Sequence, residues 1–405
     1  MAASDTTSTP SAAPAAVKVN YGFLIAYMVG LSAFGSFVND MYQPSLPSMM
    51  RFFGTTVSTV QLGLTMGMIG LGVGEIILGP CSDKYGRKPV LLASLSLFVV
   101  AAVISVFSPS IRFFLICRLF QGAGAAGGYF LARSIPADLY GGRELAKTMA
   151  VIGAINGIAP ASAPVLGALV SDKFEWKGVF VALSIFAAIL LAVSPLLKES
   201  LPKARRAQGT LWQTFKTYTV LLRNRSFVIH VLLKGSALGI LFAYVSSAPF
   251  IVQTHFGFTE TQFGIMMGAN SVCAVCGAML ALRFKTLKRA AFIGAIGLMT
   301  FVAIEAVMLW KVDTFWAYEL PMLPIIMMLG IIFTSGNTMA MNEGRAHAGE
   351  ASALLGIGGY MFGATVAPLV GLGDIFHSTA IVYVVLALIC LGFSILSLRL
   401  PDDIA

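Results

Sequence analysis

Residues 19–39 carry no charged side chain, and nine further stretches repeat the pattern: 52–74, 89–111, 148–171, 178–197, 235–254, 261–282, 320–342, 351–373 and 375–398. Each reaches the roughly 20 residues that a helix needs to cross about 30 Å of hydrocarbon. Two more apolar segments are interrupted from within, 111–133 by Arg118 and 290–310 by Glu305. Inside hydrocarbon every backbone polar group must be paired within its own segment, so these stretches read as helices. The alternation of a membrane barrel is absent. Only 11% of the 405 residues are charged, against about 25% in soluble domains. The expected fold is therefore an all-α integral membrane protein with twelve transmembrane helices.

The formal net charge of +9 could suggest nucleic-acid binding, so the location of the basic residues matters. With alternating helices, one set of loops holds Lys84, Arg87, Lys88, Arg143, Lys147, Arg283, Lys285, Lys288, Arg289 and Arg345, and the 198–225 segment adds seven more. The other set holds only Arg51, Arg112, Lys173, Lys177 and Lys311. This asymmetry is the signature of cytoplasmic loops, and it predicts that both termini are cytoplasmic. The charge is a topology signal, and no nucleic-acid partner is expected.

Segment 198–225 divides the chain into six-helix bundles over 19–197 and 226–399, with tails at 1–18 and 400–405. The Thr210–Lys216 pattern predicts a short amphipathic helix with Trp212 and Phe215 at the membrane surface. The first residues, rich in Ala, Ser, Thr and Pro, read as a disordered tail without the basic start of a signal peptide, so the first helix would serve as insertion signal. The halves share a rhythm. Basic residues follow the second helix of each (83–88 and 283–289), and the fifth helix of each carries Gly and Pro (157–167 and 363–371). Duplicated halves with a site between them are a transporter design. Five cysteines, odd in number and within or at the ends of apolar helices, suggest no disulfide framework. Cys273-x-x-Cys276 reads as packing rather than metal binding.

Four motifs carry mechanism. GPCSDKYGRK, residues 79–88, resembles the G-x-x-x-D-R-x-G-R-K loop of the major facilitator superfamily, with Cys81 and Lys84 as departures. The resemblance implies a cytoplasmic gate of Gly79, Asp83, Gly86, Arg87 and Lys88, with Asp138 in the same charge network. RLFQGAGAAGG, from Arg118, resembles the R-x-x-Q-G motif of proton-coupled members through Arg118, Gln121 and Gly122; an intramembrane arginine must face a cavity or a partner, and its glycines admit a close neighbour. GIAPASAPVLG resembles the helix-five motif of drug:proton antiporters, carried by Gly157, Pro160, Pro164 and Gly167 and departing at Asn156 and Ala168. N-D-x-x-x-P-x-x-P, carried by Asn39, Asp40, Pro44 and Pro47, resembles the end of the first helix in the bicyclomycin/chloramphenicol-resistance branch.

The resemblance implies a major facilitator fold of two pseudo-symmetric six-helix halves in a bacterial inner membrane, exporting amphipathic drugs in exchange for protons. Asp40 would carry the proton, tuned by Arg118, with Glu75 as a second titrating group. Asp40, Gln121, Lys234 and Tyr244 would line the substrate cavity. Met66 and Met68 are further candidates for its wall. Lys234, with His230 on the same helix face, could neutralise a substrate anion; Glu305 reads as interfacial, and Arg133 and Glu144 as further members of the cytoplasmic network. The expected partners are protons, a drug-like small molecule and the lipid bilayer, with the chain acting as a monomer. No cofactor or metal is expected. No G-x-x-x-x-G-K-[ST] loop exists to make ATP the energy source. The rival reading is an uptake symporter or a narrow metabolite exporter on the same fold. A receptor without transport would not need Asp40 or Arg118, and no enzyme constellation appears.

Overall fold

The computed structural model describes residues 21–206, 211–312 and 314–400. Among them the chain is helical throughout, with no strand. The helices are α1 (Tyr21–Asp40), α2 (Leu46–Phe53), α3 (Val57–Tyr85), α4 (Arg87–Val106), α5 (Ile111–Leu139), α6 (Gly142–Val193), α7 (Leu211–Arg223), α8 (Arg225–Pro249), α9 (Glu260–Ala281), α10 (Leu287–Lys311), α11 (Phe315–Glu343), α12 (Ala348–Leu369) and α13 (Ile375–Leu398). Ten stretches of the described residues are long and apolar enough to cross a membrane. One of them, Gly142–Leu196, is two arms joined where Glu175 takes φ 55 and ψ −173. Helix α5, which carries Arg112, Arg118 and Arg133, falls outside that set by composition but runs for 29 residues beside α3 and α4. Counting α5 and both arms of α6, twelve membrane-length helices result.

Six helix starts are written locally. Side-chain oxygens of Thr56, Ser110, Asn224, Thr286 and Asp374 accept backbone N–H groups at the starts of α3, α5, α8, α10 and α13. Thr259 and Gln262 form a reciprocal capping box on α9.

Boundaries differ from expectation where charge misleads. The 79–88 stretch is not a loop: α3 continues to Tyr85, and Gly86 alone, at φ 106, separates it from α4. Glycine is required at that backbone angle. The apolar run expected from residue 52 is divided, because Pro44 and Pro47 open a 3-10 turn and the short helix α2, which Gly54 ends. The predicted surface helix exists as α7, while the side chains of Trp212 and Phe215 lie outside the described residues.

Apolar burial gathers in two large clusters. One is built mainly from α1 to α6 around Phe34, Phe98, Phe114 and Phe180; the other comes mainly from α8 to α13 around Tyr244, Phe263, Ile325 and Tyr383. They meet along α3 with α12 and α6 with α9. At the Pro44 end, polar ties join the two sets of helices. Gln253 donates to the Pro44 carbonyl at 2.9 Å, Ser58 to Pro368 at 2.9 Å, Gln61 to Ser246 at 2.8 Å and Thr65 to Ala364 at 2.8 Å.

Candidate functional site

Between the two clusters lie cavities of about 600 and 670 Å³. They share Asp40, Tyr129, Lys234, Leu238, Phe242 and Asn337, so they form one continuous space. The first runs on to Ala137, Met149, Met341, Gly349 and Ser352, at the helix ends near Asp138. The second lies against Pro160, Pro164, Tyr244 and Asn270. The volume and the mostly apolar wall suit a small molecule.

Asp40 ends α1 at this cavity, where its carboxylate accepts a hydrogen bond from Gln43 at 2.8 Å. Helix α6 presses close behind it: a side chain on Gly167 would collide with the carbonyl of Met41, the next residue. Pro160 and Pro164 stand on the cavity wall, and α9 crosses the same stretch through Gly264 and Gly268. The helix-five motif therefore shapes both the floor under Asp40 and one of the two main crossings between the helix sets. Gly157 lies within helix α6, and its surroundings are outside what the structure describes.

Further along the cavity, Glu75 is buried and its carboxylate occupies the space that a side chain on Gly356 would need. It interacts electrostatically with Arg133 and Lys234. The Arg133 guanidinium stacks on Tyr129, 4.4 Å from the ring centroid, and donates to its hydroxyl at 2.6 Å. Lys234 donates to Asn337 at 2.9 Å. Two acids and two bases thus face one apolar-walled space. Arg133, expected in the cytoplasmic network, belongs here instead, because α5 stays helical past it and turns its side chain inward with Tyr129. Glu144 lies exposed on the first turn of α6.

Gln121 is set apart from the cavity. It is fully buried, takes a hydrogen bond from Arg118 at 2.8 Å and donates to Ser105 at 2.9 Å. Arg118 is fully buried beside it, donating to the Gly63 carbonyl at 3.2 Å and stacking on Tyr42. Its remaining nitrogen, Nη2, and Asn39 Oδ1 both crowd Gly67 without hydrogen-bond partners. Arg118 therefore approaches Asp40 through Asn39 and Tyr42, on either side of the acid in sequence. The glycines of this stretch do admit a close neighbour: Gly122 abuts the Gly67 carbonyl.

The charge network at the other end is dense. Arg87 donates to Asp138 at 2.8 Å and to Asp83 at 2.5 Å. Ser82 also receives Arg87, at 2.7 Å. Lys88 reaches the Pro195 carbonyl at 2.7 Å. Gly79 has ordinary space beside Phe130, so close packing does not demand a glycine there. Sequence reading missed Glu199, which accepts the backbone N–H groups of Arg87 (2.9 Å) and Lys88 (3.3 Å) and pairs with Arg206 at 3.6 Å. A carboxylate at the start of α4 satisfies free amides and the helix dipole. Its only sequence signal was an acid in a basic segment.

Two more expectations move. His230 contacts Ser397 at 3.0 Å within the bundle rather than joining Lys234 in the cavity. Glu305, expected at the interface, is fully buried, and neither carboxylate oxygen has a hydrogen-bond partner. Met68 is fully buried in the first cluster, against Gly363.

Comparison with known proteins agrees with this architecture. Residues 28–368 match the model of the Major Facilitator Superfamily. The chain is 34% identical over 364 residues to the Bacillus subtilis protein named uncharacterized MFS-type transporter YdgK, covering 86% of this chain and 89% of that one. It is 30% identical over 239 residues to a chloramphenicol resistance protein of Pseudomonas aeruginosa, covering 58% and 56%. With Escherichia coli multidrug resistance protein MdtL it shares 27% identity over 248 residues, 61% of each chain. In fold it is similar to a bacterial homolog of the human lysosomal transporter Spinster in an inward-facing, unoccupied conformation (TM-score 0.77, 12% identity, covering 94% and 97%). It is also similar to the xylose transporter XylE of E. coli in a partially occluded inward-open conformation (TM-score 0.71, 13% identity, covering 92% and 96%). The chain belongs to the major facilitator superfamily: it is a multi-pass membrane transporter, not an enzyme.

Proposed function

We propose that this transporter exports amphipathic, drug-like molecules in exchange for protons across a bacterial inner membrane, as a monomer with both termini in the cytoplasm. The observation that carries the reading is Asp40 on the wall that both cavities share, with the helix-five crossing packed directly behind it. A proton and a cationic or polar group of the substrate would compete for that carboxylate, and competition for one site is sufficient for exchange. Phe242, Tyr129, Tyr360 and Leu238 supply apolar contact of low specificity. The names of the Pseudomonas and E. coli relatives support drug export, and those relatives match over little more than half of their length.

In this reading the ties from Gln253, Ser58, Gln61 and Thr65 hold the periplasmic side shut while the cavity reaches toward the cytoplasm. Glu75, Arg133 and Lys234 form an electrostatic group along that path, and Arg87 with Asp83 and Asp138 braces its cytoplasmic rim. Inward proton movement down 100 mV supplies about 2.3 kcal/mol per charge.

The test uses inverted vesicles containing a pH-sensitive dye, energised and then given a panel of drugs. Drug-triggered alkalinisation of the interior with wild type, absent with Asp40→Asn, is the expected result. Accumulation of substrate with the proton instead of against it would establish uptake symport and overturn the reading.

A further inference from the structure

Outside the cavity, the second helix cluster encloses a group of acids and hydroxyls that no step above uses. Glu305 on α10 is fully buried, with both carboxylate oxygens lacking partners. Glu319 on α11 is buried, and its Oε2 is also without a partner. Beside them the hydroxyl of Tyr318 completes no hydrogen bond, and that of Tyr383 faces Ser247 without completing one. Glu305 interacts electrostatically with Glu319, Tyr318 and Tyr383.

The group has a route to the cavity. The Asn270 side chain faces Glu319 and donates to the Tyr244 hydroxyl at 2.7 Å. Both Asn270 and Tyr244 stand on the cavity wall. The titratable groups facing the acids come from each neighbouring helix: Tyr244 from α8, Cys273 from α9, Tyr318 from α11 and Tyr383 from α13. The one charged group that acts on Glu305 among the described residues is Glu319, another acid. Two buried carboxylates without a basic partner are tolerated in a membrane interior only if a cation balances them. A proton is the cation that needs no cage. A protonated carboxyl gains an O–H donor, and the unpartnered oxygens nearby are acceptors for it.

We infer that Glu305 and Glu319 form a second proton-binding site, inside the α8–α13 bundle, that exchanges with the central cavity through Asn270 and Tyr244. It extends the proton-coupled reading above, but proton binding here does not depend on what is exported.

The experiment is infrared difference spectroscopy on the full chain reconstituted in lipid, between acidic and alkaline buffer and without any substrate. A carboxylic-acid carbonyl band that appears on acidification, is lost in Glu305→Gln or Glu319→Gln and persists in Asp40→Asn is the expected result. Thermal unfolding confirms that each variant is folded, and either variant alone is decisive. A pH-dependent spectrum identical in wild type and both glutamine variants would overturn the inference. Removing the link with Asn270→Leu is expected to slow exchange of that band while leaving its size unchanged. An unchanged rate would remove the connection to the cavity. If the band behaves as expected while no drug moves protons in vesicles, the export reading fails and this site stands.

Discussion

The guanidinium of Arg118 lies over the ring of Tyr42, 4.4 Å from its centroid, and Tyr42 is two residues beyond Asp40. The arginine thus supports the acid's backbone through stacked packing, where sequence reading anticipated direct tuning of the carboxylate. The Tyr42 hydroxyl completes no well-formed hydrogen bond, although Arg118 acts on it as well as on the ring.

Tyr42→Phe is therefore expected to leave thermal stability in detergent unchanged. Tyr42→Leu, which removes the ring, is expected to cost about 0.5–2 kcal/mol. Equal losses in the two variants would assign the contact to the hydroxyl instead.

Gly167 is the tightest point behind the acid. Gly167→Val would push the Met41 carbonyl and displace Asp40, at a cost of about 1–3 kcal/mol for overpacking. Transport should fall at least tenfold with normal membrane insertion, whereas Gly153→Ala, with open space around it, should transport normally. Comparable rates in both variants would detach the motif from the acid.

In the charge network beside Gly86, Arg87 and Asp138 are nearly buried, with side chains 10% and 12% exposed, while Asp83 is 44% exposed. Asp138→Asn should then destabilise by about 3 kcal/mol. Asp83→Asn should cost no more than about 1 kcal/mol and slow turnover more than it weakens substrate binding. Unfolding midpoints and rate measurements separate the two, and a reversed order would mean that Asp83 bears the structural load.

Gln61→Ala combined with Gln253→Ala removes two ties on the Pro44 side. At about 1 kcal/mol per hydrogen bond, the balance should shift roughly thirtyfold toward opening on that side. Spin-label distances across that end would report the shift, and an unaltered distribution would show that the α6–α9 and α3–α12 crossings hold the closure alone.

Helix number and the end of α1 at Asp40 were legible from apolar runs, whereas Asp40, Glu75 and Lys234 were singled out one by one, through family resemblance and isolated charge, and the fold is what brings them to one space. What remained hidden depended on direction around a helix axis. Arg133 ends one apolar stretch and Glu305 interrupts another, and one charge carries no information about which face it occupies. Residue Gln121 shares a motif with Arg118 and so read as cavity-lining, yet three residues along a helix place both on one buried face. The role of Glu199 depends on the turn at Gly86 bringing two amides to it, a long-range relationship invisible to local pattern. Helix ends at Tyr85 and Leu139 were misjudged because charged final turns resemble loops.

The bend at Glu175 has a mechanical meaning. A single residue turns the chain between the arm bearing Pro160, Pro164 and Gly167 and the arm that follows, and Trp176 is fully buried immediately after it. With no slack at that corner, the two arms behave as a bell crank. A tilt of the first, against Met41 on one side and Gly264 on the other, would pass through that corner to the second.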